Sequence, residues 1–322
     1  VLERLLFLTP ALLRRPFLAC EISPFGVMAA RQEGEAMTTH FVPLPPAALI
    51  PSVKAPNIAE RGRMVVALRA ALDAVSDRDK NLTVVVPDGA VRVLLIDFDS
   101  LPSKTADILP IIRFRLRKLV PFEVEDAAIT YQVMPRIAAA GALPGAPIQT
   151  RVLVTICPKE ILAEYEGVVR EAGYVPGVVL SSTLAATALL SAEPALVVNR
   201  NGNMLTTAIV RGDEILLHRS LDFEAGEFEL VSAADDENGP KPNFVAEDLR
   251  QNVSVAMAYF EDTLAMQPTS LYYIGPGTTA EFVDLLDDPS MEVRELVPVP
   301  SLGAKSIPRS LVGPVAGALA SS

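Results

Sequence analysis

Phe114-Arg115-Leu116-Arg117-Lys118-Leu119-Val120-Pro121-Phe122-Glu123-Val124-Glu125-Asp126 is the stretch on which the fold turns. It reads as a helix running into a stop and then an acidic approach to a strand. Upstream, Ile108, Ile112, Leu116 and Leu119 keep the spacing of one buried stripe, which predicts a helix over Ser103–Leu119 with Ser103 as its cap. The other face carries Arg113, Arg115, Arg117 and Lys118. Pro121 cannot continue a helix, because it lacks an N–H and its ring blocks the preceding turn. The chain returns as a strand over Ala127–Met134.

Working outward, Ile137–Ile148 is an uncharged Ala/Gly/Pro tract, expected as a hairpin loop. Arg151–Ile156 is a strand, and Pro158 opens a helix to about Ala172 that Gly173 caps. Ala172–Ala192 has no charge, but its Pro, Gly, Ser and Thr residues split it into a strand (Val175–Leu180) and a short helix (Ser182–Leu190), buried rather than membrane-spanning. Toward the N-terminus, strands are expected at Phe17–Ile22, Val27–Gln32 and Thr38–Val42. A proline-rich loop (Pro43–Pro56), a helix over Ile58–Val75, and strands Leu82–Val86 and Val91–Phe98 follow, with Pro87-Asp88-Gly89 as a turn. Leu5–Leu13 is apolar but short, and Arg14 and Arg15 occupy the place of a signal-peptide cleavage site.

The second half repeats the theme. Strands Ala195–Asn199, Met204–Val210 and Glu214–Ser220 are joined by Asn201-Gly202 and Gly212-Asp213, the turn pairs of a three-stranded meander. Helix Phe244–Leu264, strand Ser270–Ile274, helix Thr278–Leu286, strand Glu292–Leu296 and a helix from about Arg309 complete it. The pattern is an α/β chain of two related halves.

Composition narrows the function. Half of the 322 residues are hydrophobic, enough for a substantial core, and 28 basic against 39 acidic residues leave a net charge of −11. That balance disfavours a nucleic-acid binder. Two cysteines, Cys20 and Cys157, and two histidines, His40 and His218, lack the spacing of a metal site. The Asp235-Asp236-Glu237 run lacks a rigid ligand loop and reads as a solvated segment. No nucleophile motif accompanies His218.

The Phe114–Asp126 block with Tyr131-Gln132-Val133 resembles the PilM family, actin-like and FtsA-related proteins of type IV pilus machines. Val152–Pro158 with the helix through Tyr165 and Ala172-Gly173-Tyr174, Leu271-Tyr272-Tyr273-Ile274-Gly275-Pro276-Gly277 and Pro314–Leu319 are similar to later parts of that family. The resemblance implies a two-lobed actin-like fold with an inserted small αβ subdomain. Residues 1–89 and 176–193 would form the first lobe, 90–175 the insertion, and 194–322 the second lobe.

It also implies a place to look for ATP and Mg²⁺. Actin-like clefts hold phosphate with hairpin turns that begin with Asp and continue through Gly, so that carboxylates handle the metal and backbone N–H groups approach phosphate. Here Glu21, Ser23 and Gly26 frame the first turn, Asn199 and Gly202 the second, and Gly275 and Gly277 the third. Glu21 replaces one Asp, Asn199 the other, and Pro24 and Pro276 each remove a donor. Phosphoryl transfer depends on positioned charge, so these departures point to weak or absent nucleotide binding and no catalytic residue. Arg200 offers one compensating charge.

The partner implied by the resemblance is the cytoplasmic N-terminal peptide of a PilN-type single-span protein, docked between the insertion and the first lobe. Arg113, Arg117, Val120, Pro121 and Phe122 are its candidate contacts. The expected setting is the cytoplasmic face of the inner membrane. An active ATP-dependent enzyme of the actin/Hsp70/sugar-kinase fold and a cytoplasmic domain of a type II secretion platform remain open alternatives from sequence.

Overall fold

The computed structural model describes residues 16–34, 36–76, 78–134, 149–222, 243–266, 268, 270–288, 291–297 and 309–320. Leu5–Leu13, Ile137–Ile148 and Asp235-Asp236-Glu237 lie outside them. Strands β1 (Leu18–Ser23), β2 (Gly26–Glu33) and β3 (Ala36–Pro43) form an antiparallel meander. Helix α1 (Arg61–Asp73) follows, and β4 (Asn81–Val86) then joins parallel to β1.

The chain next leaves for a separate sheet. β5 (Arg92–Phe98), α2 (Thr105–Leu116), β6 (Ala127–Val133) and β7 (Thr150–Pro158) give the order β5-β7-β6, antiparallel throughout. Helix α3 (Lys159–Glu171) returns to pack on α1, and β8 (Val175–Ser181) pairs parallel with β4 to complete the sheet β3-β2-β1-β4-β8.

After the short α4 (Ser182–Ala186), the second half rebuilds the same plan. β9 (Ala195–Asn201), β10 (Met204–Arg211) and β11 (Glu214–Asp222) form the meander. Helix α5 (Asn243–Leu264), β12 (Ser270–Ile274) parallel to β9, α6 (Thr279–Leu286) and β13 (Glu292–Arg294) follow, in the sheet order β11-β10-β9-β12-β13. Helix α7 (Gly313–Ala320) then crosses back to the first sheet, where it contacts α4, β1, β2 and β4. Among the described residues no helix is long and apolar enough to cross a membrane.

Burial follows the sequence stripes. Met64, Leu68 and Leu72 of α1 and Tyr165 and Val168 of α3 are buried in a core that continues across to Val197, Ala208 and Ile274 of the second sheet. Each such side chain withdrawn from water contributes about 1.5–3 kcal/mol before its ordering cost. The other face of the second sheet is covered by α5 and α6 through Leu249, Val253, Phe260 and Phe282. Phe282 stacks on Tyr273 with ring centroids 4.1 Å apart. The small sheet and α2 enclose their own core of Ile96, Ile112, Leu116, Val154 and Ile156.

The proline-rich loop is held by a few polar groups. The Tyr165 hydroxyl donates to Asn57 Oδ1 at 2.9 Å, and the backbone amides of Asn57 and Ile58 both donate to the Glu164 carboxylate at 2.8 Å. Prolines leave a loop few amides of its own, so these long-range contacts to α3 supply what a ladder would otherwise provide.

Three sequence expectations are corrected. Helix α2 begins at Thr105, with Lys104 rather than Ser103 in the cap position and no side-chain cap. The Asp107 amide donates to the Lys104 carbonyl at 3.0 Å, so the backbone closes the first turn without Ser103. Thr278 stands outside α6 as its N-cap, in a reciprocal capping box with Glu281. The helix expected over Ser182–Leu190 ends as a 3₁₀ turn at Thr187–Leu189.

Candidate functional site

The parallel construction of the two halves brings the β1–β2 turn against the β9–β10 turn. In the first, the Ser23 hydroxyl donates to the Gly26 carbonyl at 3.0 Å and tightens the tip. In the second, Gly202 takes φ +65°, and a Cβ built on it would stand 2.8 Å from Pro24 Cγ. The two tips therefore touch, with no room for a side chain between them.

Behind the tips lies a closed polar network. Glu21, 4% exposed, accepts a hydrogen bond from the Ser182 hydroxyl at 2.7 Å and from Asn201 Nδ2 at 3.3 Å. Asn199 Nδ2 lies 3.0 Å from Ser182 Oγ, 2.9 Å from Thr183 Oγ1 and 3.2 Å from Asp88 Oδ2. Asp88 in turn accepts the Thr183 amide at 3.1 Å and the Thr183 hydroxyl. The network draws on β1, the turn after β4, the start of α4 and β9, so it joins the two halves at their centre.

Burial dominates its electrostatics. It pushes the Glu21 carboxyl up to about 8, with the neighbouring Asp88 charge adding to the effect and the Ser182 and Asn201 hydrogen bonds opposing it. His218 of β11 is held below the usual imidazole range, chiefly by burial. Cys157 is pushed up to about 12 by burial, and its Sγ–H donates to the Ala90 carbonyl at 3.3 Å, which keeps it a protonated thiol.

The third turn is engaged by its surroundings. The Gly275 amide donates to the Ser310 carbonyl at 3.2 Å, and the Ser310 hydroxyl donates to the Gly277 carbonyl at 2.8 Å. The Tyr273 hydroxyl donates to the Pro276 carbonyl at 2.8 Å, and a Cβ on Gly275 would meet that hydroxyl at 2.6 Å. Arg200, 5% exposed, packs against Tyr273, and burial lowers its pKa. In this arrangement Glu21, Asp88 and the Gly275 amide are hydrogen-bonded within the chain, while Asn199 and Asn201 donate through Nδ2 and each keep a buried Oδ1 unpartnered among the described residues.

Glu21, Ser23, Gly26, Asn199 and Gly202 thus gather at one place between the halves. Gly275 and Gly277 adjoin it through Arg200 and Tyr273. Sequence reading missed Asp88, Ser182 and Thr183. Asp88 was legible only as part of a turn, whereas Ser181-Ser182-Thr183 stood out as a polar run inside a long uncharged stretch.

The candidate partner residues lie elsewhere, at the end of α2. Arg117 is paired with Glu125, Nε at 3.0 Å and Nη2 at 2.5 Å, and that contact holds the Glu125 carboxyl below its usual range. Val120 and Phe122 pack partly buried against the core of the small sheet, and Pro121 is exposed. Arg113 is half-buried, with its Nε unpartnered among the described residues.

No protein-family model matches the chain, and no curated protein matches it by sequence. Solved structures match over nearly its whole length. A PilM–PilN type IV pilus biogenesis complex aligns at 17% identity over 95% of this chain and 97% of that chain, with a TM-score of 0.70. The ethanolamine utilization protein EutJ from Carboxydothermus hydrogenoformans aligns at 10% identity over 97% and 92%, with a TM-score of 0.51. The cytoplasmic domain of EpsL, an inner-membrane component of the type II secretion system of Vibrio cholerae, aligns at 11% identity over 95% and 93%, with a TM-score of 0.49. At such identities the likeness is one of fold. The fold is the actin-like one expected, two lobes with an inserted small αβ unit.

Proposed function

We propose that this chain is a scaffold of a type IV pilus assembly platform that binds the N-terminal cytoplasmic peptide of a PilN-type membrane protein, with nucleotide binding weak or lost. The observation that carries it is the fold likeness to the PilM–PilN complex over almost all of both chains. The working location is the cytoplasmic face of the inner membrane, reached through that partner.

The insertion, residues 90–175, supplies the docking region in this reading. β6 is an edge of the three-stranded sheet and runs beside α3, which packs on the first lobe. An extended peptide laid there would gain main-chain hydrogen bonds from the edge and specificity from flanking pockets. The end of α2, with Arg113, Pro121 and Phe122, borders the same unit.

Isothermal titration tests the peptide half of the proposal. The N-terminal peptide of the single-span protein encoded beside this chain is expected to bind at micromolar affinity or better, and a scrambled peptide is not. Absence of binding to the intact partner as well as to the peptide rejects it.

The nucleotide half rests on the contact of Pro24 with Gly202 and on the self-satisfied carboxylates. Titration with Mg-ATP is expected to give no saturable heat, and phosphate release no rate above buffer. Tight binding with turnover abolished by Glu21→Ala would instead establish the ATP-dependent enzyme.

A further inference from the structure

Helix α2 buries Ile108, Ile112 and Leu116 in the small sheet's core, and the side flanking that stripe is exposed. On that side Phe114 is 64% exposed and Ile111 37%, and Leu119, expected on the buried stripe, is 51% exposed because the helix ends at Leu116 and the turn that follows leaves the stripe. Arg115 and Lys118 are exposed between Phe114 and Leu119, Lys104 is exposed at the start of the helix, and among the described residues none of the three is in an ion pair. Asp107 shares the face, while Glu125 is occupied by Arg117 and Glu123 and Asp126 follow Pro121.

A chain of net charge −11 thus presents a cationic, apolar strip on one surface helix. Two features decide what would cover it. Cations stand directly beside the most exposed apolar side chains, Arg115 after Phe114 and Lys118 before Leu119, and lysine is depleted from the centres of protein–protein interfaces. At a lipid surface the same interleaving is favourable: aromatic and aliphatic groups enter the headgroup–acyl boundary, while Lys and Arg extend along it to the phosphates. The acidic remainder of the protein would be repelled by an anionic leaflet, which leaves this strip as the side that approaches.

We propose that the exposed strip formed by α2 and the turn that follows it, comprising Ile111, Phe114, Arg115, Lys118 and Leu119, lies on an anionic lipid surface. Phe114 and Leu119 insert, and Arg115 and Lys118 meet lipid phosphates. The contact goes beyond the scaffold reading, in which the partner alone holds the chain near a membrane, and it stands whether or not the peptide binds.

Co-sedimentation of the whole chain with extruded vesicles tests it. Equimolar phosphatidylglycerol and phosphatidylcholine vesicles should retain the protein at low salt and release it at high salt, and pure phosphatidylcholine should not retain it. Arg115→Ala with Lys118→Ala should weaken the partition by about thirty-fold, from the usual contribution of each basic residue near an anionic surface. Phe114→Ser should weaken it by about ten-fold through lost insertion. All these positions are exposed, so thermal melting should be unchanged and serves as the check on folding. Equal binding to both vesicle types, or variants that bind like the parent, overturns the proposal. So does sedimentation equilibrium in which Phe114→Ser abolishes a dimer, since a second copy would then be the occupant.

Discussion

Replacement of Glu21 by glutamine is expected to flatten the dependence of stability on pH between about 5 and 8 and to stabilise the protein at the upper end. The folded-state carboxyl is pushed up to about 8 from an ordinary value of 4.5, chiefly by burial. A raised pKa means that the folded state binds the proton more tightly than the unfolded chain. The stability tied to that proton is fully present below about pH 4.5 and is lost as pH rises through about 8. Its ceiling is on the order of 5 kcal/mol, since each tenfold difference in proton affinity between the two states is worth about 1.4 kcal/mol. Glutamine keeps the shape and never ionises, and Asn201, whose Oδ1 is unpartnered among the described residues, stands beside it as an acceptor. Urea denaturation of both proteins at several pH values measures the difference directly. Parallel curves for the two would show that Glu21 is solvated or paired in a way that the network above does not provide.

The second large effect concerns packing. Gly317→Val should destabilise the protein by about 3 kcal/mol or more, because a Cβ at this position would land on the Ala185 carbonyl oxygen, with Ala186 Cα 3.0 Å away. The obstruction is backbone, so no side chain can swing aside and α7 must lift from α4. In a chain of this size the melting temperature should fall by roughly 4 °C or more. Gly313→Ala is the matched control. Its nearest neighbour is the end of Leu296 at 3.3 Å, a flexible side chain, and its effect should stay within about 1 kcal/mol. If thermal denaturation gives the two variants the same melting temperature, the close approach of α7 to α4 is not what Gly317 provides.

Much of this architecture was legible because local signals agreed with one another. The meander turns at Asn201-Gly202 and Gly212-Asp213 and the stripe of α1 each fix an element locally, and the repeat of strands then helix–strand alternation fixes the plan, whereas α2 ends at Leu116, well before the Pro121 expected to stop it. Ser103 failed as a cap because the competing bond was main chain to main chain, which composition does not reveal. The candidate site was half visible. Glu21, Asn199 and Gly202 were found because hairpin turns have fixed positions along the chain. Asp88 and Thr183 meet across 95 residues, and no spacing rule links a turn after one strand to the first turn of a distant helix. The departures from a phosphate-holding pattern were read from residue type, but only the geometry shows Pro24 resting on Gly202 and Tyr273 occupying the space beside Gly275.

The return of α7 to the first sheet bears on how the protein is made. Ala19, Met28, Ala30, Val85, Val178 and Leu180 have their apolar cover in Leu311, Val312, Val315, Ala318 and Leu319. A ribosome delivers the strands long before that cover emerges, so a nascent first lobe carries a bare greasy surface throughout synthesis of the second. The first lobe can therefore close that surface only once α7 has been made and has crossed back to it.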